Sequence, residues 1–475
     1  MSQRLDDSEL TERIDDLRAA FRGEILRPDD EGYEEVRSVW NGMIDRRPAV
    51  ITRATGTADV VAAVDFAREA GLELSIHGGG HNAAGNAVTD GGLMLDLSPM
   101  NGVFVDPAAR TAWVGGGATL GDIDSETQLF DLAAPLGVVS ETGVAGLTLN
   151  GGYGHLSREF GLAADNVVSA QVVTADGAVR IASEDTNEDL FWAIRGGGGN
   201  FGVVTAFQFR LHDIGPEVYG FFPWFHGDDA RSVLEGFREW TEDAPRHASA
   251  IPFVAHVPEL EEFPEAAWGE PAVALLGAYR GDDFSQAPVV YEPILERATP
   301  LADLSGPMNF VDLQSMLDED YPDGMRYYWK SIFVAEASDE VFDIMVEYNE
   351  SAPSDLSTVD LWHLGGAVAD RPQDATAFYH RDKPFMVTFE ANWEDPEDDD
   401  ANIEWAREGF AALESLDIAS GRYGNFPGFA DDPATMLFGD NYERLVDVKT
   451  EYDPENLFRL NQNIAPRGWE EGGDS

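Results

Sequence analysis

The fold is decided by one glycine-rich stretch, Ser75-Ile76-His77-Gly78-Gly79-Gly80-His81-Asn82-Ala83-Ala84-Gly85. Its three successive glycines lack a Cβ atom, so the backbone there can adopt positive φ and come within hydrogen-bond distance of a bound phosphate or pyrophosphate. His81 follows directly, and its imidazole can act as a base, a ligand or a covalent anchor. The stretch indicates a nucleotide-cofactor site; the alternative is a tight turn with two incidental histidines.

The residues around this stretch predict a β-α-β unit. A strand at 49–52 precedes a helix capped by Thr57 and ended by Gly71, and a second strand at 72–76 leads into the glycines. Further glycine-rich loops follow at 115–117, 143–154 and 196–202. Several close approaches of backbone within one domain indicate a large ligand that is held along its length.

Other common sites are excluded by context. Residues 197–202 fit the dinucleotide pattern G-x-G-x-x-G, but they follow a helix and precede a strand, which is the reverse of a Rossmann turn. No P-loop and no G-x-S-x-G elbow occurs. His77 and His81 have the spacing of a helical zinc pair, but the glycines between them argue against a helix, so no metal site is expected.

Composition sets further limits. The 475-residue chain has no cysteine, which excludes disulfides, thiolate metal sites, a catalytic cysteine and any cysteinyl bond to a cofactor. Its formal net charge of −57 makes nucleic acid and membrane surfaces unfavourable partners. This composition resembles that of proteins from salt-accumulating halophiles, where molar salt screens repulsion to a range of about 3 Å. We expect a cytoplasmic protein, because no apolar stretch and no secretion signal is present.

The second half of the chain has a different pattern. Strand-like runs at 218–225, 272–279, 358–364 and 385–393 alternate apolar with polar residues, which predicts an antiparallel sheet with one solvent-facing side. Predicted helices near 228–242, 338–350 and 400–416 alternate with these strands. The expected fold class is therefore α+β, with helices covering the second sheet.

Four ordered motifs, at 76–82, 142–152, 189–202 and 458–464, resemble the FAD-linked oxidases of the berberine bridge enzyme and oligosaccharide oxidase type, within the vanillyl-alcohol oxidase superfamily. The resemblance extends over about residues 44–466. It implies a PCMH-type FAD-binding domain at 44–213, a substrate-binding domain at 214–430, and a C-terminal segment at 431–475 that packs back on the FAD domain. Residues 1–43 are expected to form an N-terminal helical arm, because Leu10, Ile14, Leu17 and Phe21 lie on one helical face.

The resemblance also implies the cofactor and its contacts. His81 stands where relatives bond a histidine covalently to the 8α-methyl of FAD, and Ala145 stands where bicovalent relatives have a cysteine, so a monocovalent flavin is expected. The implied cofactor-binding residues are His77, Gly78, Gly79, Gly80, His81, Asn82, Gly85, Ser140, Thr142, Gly143, Gly146, Gly151, Gly152, His155, Val204, Asn461 and Asn463.

The resemblance implies a catalytic pair as well. Residues 421–426 are similar to a Tyr-x-Asn strand, which assigns Tyr423 as the base and Asn425 as its companion. A phenol with a pKa near 10 needs help to act as a base at neutral pH, and alternation along a strand would point Arg422 to the opposite face. The alternative is that Tyr423 is an ordinary half-buried aromatic residue.

The implied reaction transfers a hydride from a C–H bond bearing an alcohol or amine of a small-molecule substrate to flavin N5. Dioxygen or another acceptor then reoxidises the flavin. Two alternatives stay open: a flavin dehydrogenase that avoids oxygen, and a flavin-binding carrier or sensor without turnover. The sequence indicates neither the substrate nor the oligomeric state.

Overall fold

The computed structural model describes residues 7–429 and 433–469, so the expected boundary between residues 430 and 431 lies outside the described residues. The described residues form a mixed fold of helices and sheets, which confirms the predicted α+β class. None of these helices is long and apolar enough to cross a membrane. The α-helices of the described residues are α1 (Asp7–Ala20), α2 (Tyr33–Arg37), α3 (Thr57–Ala70), α4 (Leu120–Thr127), α5 (Val144–Leu149), α6 (Ser157–Phe160), α7 (Glu188–Ala193), α8 (Ala230–Asp243), α9 (Ala287–Val290), α10 (Glu292–Leu295), α11 (Phe310–Gln314), α12 (Asp339–Glu350), α13 (Asp399–Glu414), α14 (Ala434–Phe438) and α15 (Tyr442–Tyr452).

Two main sheets and one short two-stranded pairing build the first half of the molecule. One has the order β1-β2-β4-β3, with β2, β4 and β3 parallel, and the other has the antiparallel order β5-β6-β10-β8-β9. The strands of this half are β1 (Glu24–Leu26), β2 (Val50–Arg53), β3 (Leu74–His77), β4 (Leu93–Asp96), β5 (Val103–Asp106), β6 (Thr111–Gly115), β7 (Leu132–Ala133), β8 (Val167–Val173), β9 (Val179–Ser183), β10 (Val203–Arg210) and β11 (His212–Asp213).

The glycine-rich stretch leaves the first sheet at its carboxyl edge. Helix α3 connects the parallel strands β2 and β3, and it ends at Gly71, whose φ of 63° is the left-handed conformation that glycine adopts without strain. Strand β3 then ends at His77, so residues 78–80 lie where parallel strands of α/β units place their ligand-binding loops. The predicted β-α-β unit is therefore present.

A single large sheet organises the second half. Its main path is β16-β13-β15-β14-β19-β20-β18-β21, and every pairing along that path is antiparallel. The strands of this half are β12 (Glu217–Phe221), β13 (Pro223–His226), β14 (Ile251–His256), β15 (Pro271–Tyr279), β16 (Ala302–Asp303), β17 (Gly306–Asn309), β18 (Arg326–Val334), β19 (Thr358–His363), β20 (Phe385–Trp393) and β21 (Ala419–Ser420).

Helices α8, α12 and α13 cover one face of this sheet, which confirms the predicted helix-covered antiparallel sheet. Odd-numbered residues of β20, such as Val387 and Phe389, pack into that core. The expectation of a solvent-facing polar side is wrong for β20, because all nine of its residues are buried. The polar residues at even positions of β20 lie on the face opposite the helices, toward an internal cavity.

Residues 40–42 join the two halves. Trp40 Nε1 donates to the carbonyl oxygen of Tyr321 at 2.8 Å. The Asn41 amide donates to the carbonyl oxygens of Ala83 at 2.7 Å and Tyr327 at 2.8 Å. The segment expected as a helical arm thus also supplies β1 and a clamp between the glycine-rich stretch and the second half.

The C-terminal segment is tied down by a buried ammonium group. Lys449 Nζ donates to the carbonyl oxygens of Asn200 and Phe458, both at 2.8 Å, and to Asp453 Oδ2 at 2.7 Å. Burial lowers the pKa of Lys449 to about 8, which still leaves it mainly protonated at neutral pH. This cation therefore fixes the tail against the loop at 196–202.

We expect Lys449→Met to lower the free energy of unfolding by about 3–5 kcal/mol, because the substitution leaves the Asp453 carboxylate buried without its cation. Denaturant unfolding in molar salt measures this loss. Lys383→Met is the matched control: Lys383 is partly exposed and 3.8 Å from Asp382, so its loss should stay within about 0.5 kcal/mol. Equal losses for the two variants would contradict a structural role for the buried ammonium.

Candidate functional site

A cavity of about 1130 Å³ lies between the two halves of the molecule. One part of its wall comes from the glycine loops and from apolar residues of the first half. The other part comes from the large antiparallel sheet, including Trp329, Trp362 and Met386. The volume of the cavity is therefore large enough for a nucleotide cofactor against one wall and a substrate against the other.

Two glycine loops touch back to back at the cavity wall. A Cβ atom on Gly79 would overlap the amide nitrogen of Gly143, and one on Gly143 would lie 2.5 Å from the amide nitrogen of Gly79. A third loop is close as well, since a Cβ on Gly78 would lie 3.3 Å from the carbonyl oxygen of Gly116. Only glycine at positions 79 and 143 permits this approach of backbone to backbone.

His81 is the end member of an aromatic stack. Its ring lies 5.1 Å from that of Trp40 at an interplanar angle of 11°, and Trp40 stacks on Tyr327 with 3.6 Å between ring centroids. Burial, together with the nearby His77, lowers the pKa of His81 to about 4. The imidazole is therefore neutral at physiological pH and keeps a ring-nitrogen lone pair available.

His77 has a different environment. It ends β3, and its Nδ1 lies 3.3 Å from Asp96 Oδ1, so its ring turns toward β4 and does not line the cavity. His81, Glu141 and Asp323 place one ligand atom each within 4.8 Å of one another, but both carboxylates are exposed. Exposed acidic groups alone do not define an ion site, so the expectation of no metal stays a prediction.

Tyr423 has its phenol oxygen in a cradle of N–H donors. The backbone N–H of Gly152 donates to it at 3.2 Å and the Asn425 side-chain amide donates at 2.9 Å. Burial raises the pKa of Tyr423 to about 12, while the donors from Asn425, Gly152 and Tyr153 oppose that rise. Gly151 and Gly152, with φ of 113° and 78°, turn the backbone so that these amides meet the phenol.

The cavity wall brings together most of the residues predicted for the site. Those that line it are Gly78, Gly79, Gly80, His81, Asn82, Thr142, Gly143, Gly146, Val204, Tyr423, Asn425 and Asn461. Those that do not line it are His77, Gly85, Ser140, Gly151, Gly152, His155 and Asn463. Their roles in binding stay predictions.

Several residues outside the wall have structural contacts of their own. Ser140 donates from its backbone N–H and its hydroxyl to Asp318, at 2.8 and 2.5 Å, which joins the two halves. Gly85 packs against Ile44, where a Cβ would lie 2.6 Å from the side chain. His155 is buried, and burial lowers the pKa of its imidazole to about 4.

The large sheet contributes residues to the cavity that were not predicted from the sequence. Thr358, Asp360 and Trp362 of β19, and Glu390 and Asn392 of β20, all line the cavity from alternate strand positions. The signal was present as polar residues that recur every second position within apolar runs. The sequence did not predict that these residues line a cavity, because the same alternation is typical of a solvent-facing strand.

Lys330, His363 and His380 do not line the cavity, whereas Trp329 does. Lys330 lies over the Phe410 ring on the helix-covered face of the sheet. His380 Nε2 lies 3.0 Å from the carbonyl oxygen of Met436. Among the described residues, no lysine or arginine lines the cavity, so an anion bound there would meet backbone amides and neutral side chains such as Thr142 and Asn82.

The residues present fit FAD. Converging glycine loops offer backbone amides to a pyrophosphate, and an apolar groove that includes Leu74, Ile76 and Val203 suits the flat rings of a dinucleotide. The side-chain oxygen of Asn461, on the same wall, is buried and has no hydrogen-bond partner among the described residues. Fold and site together define a flavin-dependent oxidoreductase.

Comparison with known proteins gives the family. A family model described as FAD binding domain matches residues 48–183, and one described as berberine and berberine like matches residues 422–465. An FAD-linked oxidoreductase of Dictyostelium discoideum is 31% identical over 460 residues, covering 96% of this chain and 97% of the relative. The chain therefore belongs to the berberine bridge enzyme-like family of FAD-linked oxidoreductases, and its cofactor is FAD.

Two further relatives match over nearly their whole length. (R)-6-hydroxynicotine oxidase of Paenarthrobacter nicotinovorans is 32% identical over 462 residues, covering 94% of this chain and 98% of the relative. The solved structure of a glucooligosaccharide oxidase from Acremonium strictum superposes with a TM-score of 0.84 at 26% identity, covering 96% of this chain and 99% of that one. The resemblance inferred from the four motifs is thus confirmed.

We expect Gly143→Ala to weaken FAD incorporation about 5- to 150-fold, because the added Cβ overlaps Gly79 and overpacking of this kind costs about 1–3 kcal/mol. The measurement is flavin absorbance per chain during reconstitution with graded FAD. Gly102→Ala is the matched control, since a Cβ at Gly102 has nothing within 4 Å. Full incorporation by Gly143→Ala would refute the back-to-back role of these loops.

Proposed function

We propose that this protein is an oxidase that takes a hydride from a C–H bond bearing an alcohol or amine and uses dioxygen as the final acceptor. The observation that carries this proposal is the cradled phenol of Tyr423, which lines the same cavity as His81. Support also comes from relatives that are named as oxidases of 6-hydroxynicotine and of glucooligosaccharides.

FAD, when bound, supplies a hydride acceptor at its N5 atom. The glycine loops at 78–80 and 143–146 would hold its pyrophosphate, and Asn461 would contact it from the C-terminal segment. His81 would bond to it covalently, because a neutral imidazole beside the cavity is a competent nucleophile. Since Ala145 lines the cavity and the chain has no cysteine, the link would be monocovalent.

Tyr423 would accept the proton that leaves the substrate hydroxyl or amine. The N–H donors of Gly152 and Asn425 would stabilise a phenolate, as an oxyanion hole stabilises developing charge elsewhere. Arg422 does not assist, since its guanidinium pairs with Glu414 and lies over the Phe410 ring. The base would therefore be tuned by neutral dipoles from Asn425 and the 152–153 backbone.

We expect His81→Ala to release FAD into the supernatant after acid precipitation, whereas wild-type protein keeps its yellow colour in the pellet. The measurement is the visible spectrum of both fractions. His226→Ala is the control, because His226 is an exposed histidine away from the cavity. Yellow colour in the wild-type supernatant would contradict the covalent bond but would not contradict the FAD site.

We expect Tyr423→Phe to slow anaerobic flavin reduction by about 10²- to 10⁴-fold with FAD content unchanged. The pH profile gives a second readout. Only the phenolate accepts a proton, so the wild-type reduction rate should rise with pH toward the pKa of about 12, and Tyr423→Phe should flatten that rise. Asn425→Ala removes a donor to the phenolate, raises the pKa further and should move the rise to higher pH. Unchanged profiles in both variants would exclude Tyr423 as the base.

Two alternatives remain testable with the same protein. A dehydrogenase would share the binding residues but produce no hydrogen peroxide during turnover. A carrier or sensor would bind FAD that no alcohol, sugar or amine reduces under anaerobic conditions. The domain limits, the saline environment and the cytoplasmic location inferred from the sequence also stay predictions.

A further inference from the structure

Two carboxyl groups meet inside the cavity, on neighbouring strands of the large sheet. Asp360 on β19 pairs with Thr388 on β20, and Glu390 pairs with Thr358, so the two acids lie diagonally across one strand pairing. Asp360 is 6% exposed and Glu390 is 3% exposed, and the two carboxyl groups are close enough for each to affect the pKa of the other. We call these two residues the acid pair.

The acid pair is held by neutral donors. The Tyr321 hydroxyl donates to Glu390 Oε2 at 3.0 Å, and the Thr388 hydroxyl donates to Glu390 Oε1 at 3.1 Å. The Thr358 hydroxyl donates to Asp360 Oδ1 at 2.7 Å. Within the described ranges neither acid has a lysine or arginine partner, so no protein cation balances the pair.

Aromatic side chains surround the acid pair. Trp362 Nε1 donates to the Thr388 hydroxyl at 3.3 Å, and the Trp362 ring lies 6.1 Å from that of Phe426, which lies 5.4 Å from that of Tyr423. This row of rings links the acid pair to the proposed base. Carboxylates beside aromatic faces form the usual environment of a bound organic cation.

A second observation also indicates a ligand at this wall. Trp224 is 7% exposed and lines the same cavity, yet its indole N–H has no hydrogen-bond partner among the described residues. A buried donor without an acceptor is costly, so a substrate that supplies an acceptor would satisfy it. The wall therefore offers the acid pair to a cationic group of a ligand and the indole N–H of Trp224 to a hydrogen-bond acceptor.

The acidic composition of the chain does not explain why the acid pair is buried. With a net charge of −57, carboxylates near the cavity mouth, such as Glu262 and Glu394, are expected, and both are exposed. Asp360 and Glu390 are buried, where an unbalanced carboxylate is expensive. Their cost is offset when a ligand brings the missing positive charge.

We propose that Asp360 and Glu390 bind an ammonium group of an amine substrate whose aromatic or apolar body packs against Trp362 and Phe426 and whose oxidised C–H bond lies toward Tyr423, apart from that ammonium group. The proposal rests on the proposed function, because it names the substrate class of that same cavity. It places cationic amines ahead of neutral alcohols and sugars, and it excludes carboxylate-bearing compounds.

The protonation of the pair agrees with this assignment. Burial and the adjacent carboxyl raise the pKa of Asp360 well above its usual range, and burial raises the pKa of Glu390 to about 7. Tyr321 is a titratable group that contacts the pair, with Asp320 next to it in the chain, whereas Lys330 of the adjacent strand lies on the opposite side of the sheet. The free pair therefore holds a proton at neutral pH, and an arriving ammonium displaces that proton to solvent.

The test uses FAD-loaded protein and three ligands with one skeleton but different charge: 2-phenylethylamine, 2-phenylethanol and phenylacetate. Anaerobic titration calorimetry at pH 7.5 gives the affinities, and flavin bleaching in the same samples reports any hydride transfer. We expect the amine to bind about 10- to 100-fold more tightly than the alcohol, since a hydrogen bond to a charged group adds about 1.5–3 kcal/mol. Phenylacetate should bind most weakly.

The double variant Asp360→Asn/Glu390→Gln keeps the shape and removes the charge, so it should abolish the preference for the amine. The control Glu340→Gln/Glu347→Gln changes net charge equally on the exposed face of α12 and should keep the preference. If the alcohol or the acid binds as well as the amine to wild-type protein, the inference is overturned, whatever the variants do. Failure of the proposed function has a different signature: selective amine binding with no bleaching by any amine or alcohol.

Discussion

The approach of Gly79 to Gly143 is the constraint on which the rest of the site depends. Two loops from different sheets meet with backbone against backbone, and any side chain at either position would push them apart. The contact sets the distance between the first sheet and α5, and both loops line one cavity. His81, two residues beyond Gly79, is then brought under Trp40. Cofactor binding in this chain therefore depends on glycine, which has no Cβ atom, at both positions.

Much of this arrangement was predictable from the sequence. Consecutive glycines after a strand are informative because only glycine allows positive φ and close approach, and the order strand–helix–strand around residues 49–76 follows from local patterns. The antiparallel sheet with its helical cover was predictable for the same reason. A sequence pattern does not show which part of the molecule packs against each face of a sheet. Even positions of β20 alternate as a solvent-facing strand would, yet Met386, Glu390 and Asn392 line the cavity between the two halves of the molecule.

The residues that sequence reasoning missed share one property: each depends on contacts distant in the chain. Trp40 reaches His81 only because residues 40–42 clamp onto 321–327. Asp360 and Glu390 become a pair only through the register of β19 and β20. Gly152, whose predicted contact with the flavin stays a prediction, donates its backbone N–H to Tyr423, 271 positions further along the chain. The sequence shows which residue types are present, whereas strand register and contacts distant in the chain determine what each residue does.

The rare lysines have a consequence for chemistry performed on this protein. The chain has three of them; Lys330 and Lys449 are buried, and Lys383 is partly covered. Reagents that acylate side-chain amines therefore find few targets on the folded molecule, and such cross-linkers and surface-immobilisation chemistries are poorly suited to it. The same scarcity makes acylation of Lys449 a direct reporter of opening of the C-terminal segment, because that amine becomes reactive only when it leaves Asp453 and the two carbonyl groups that hold it.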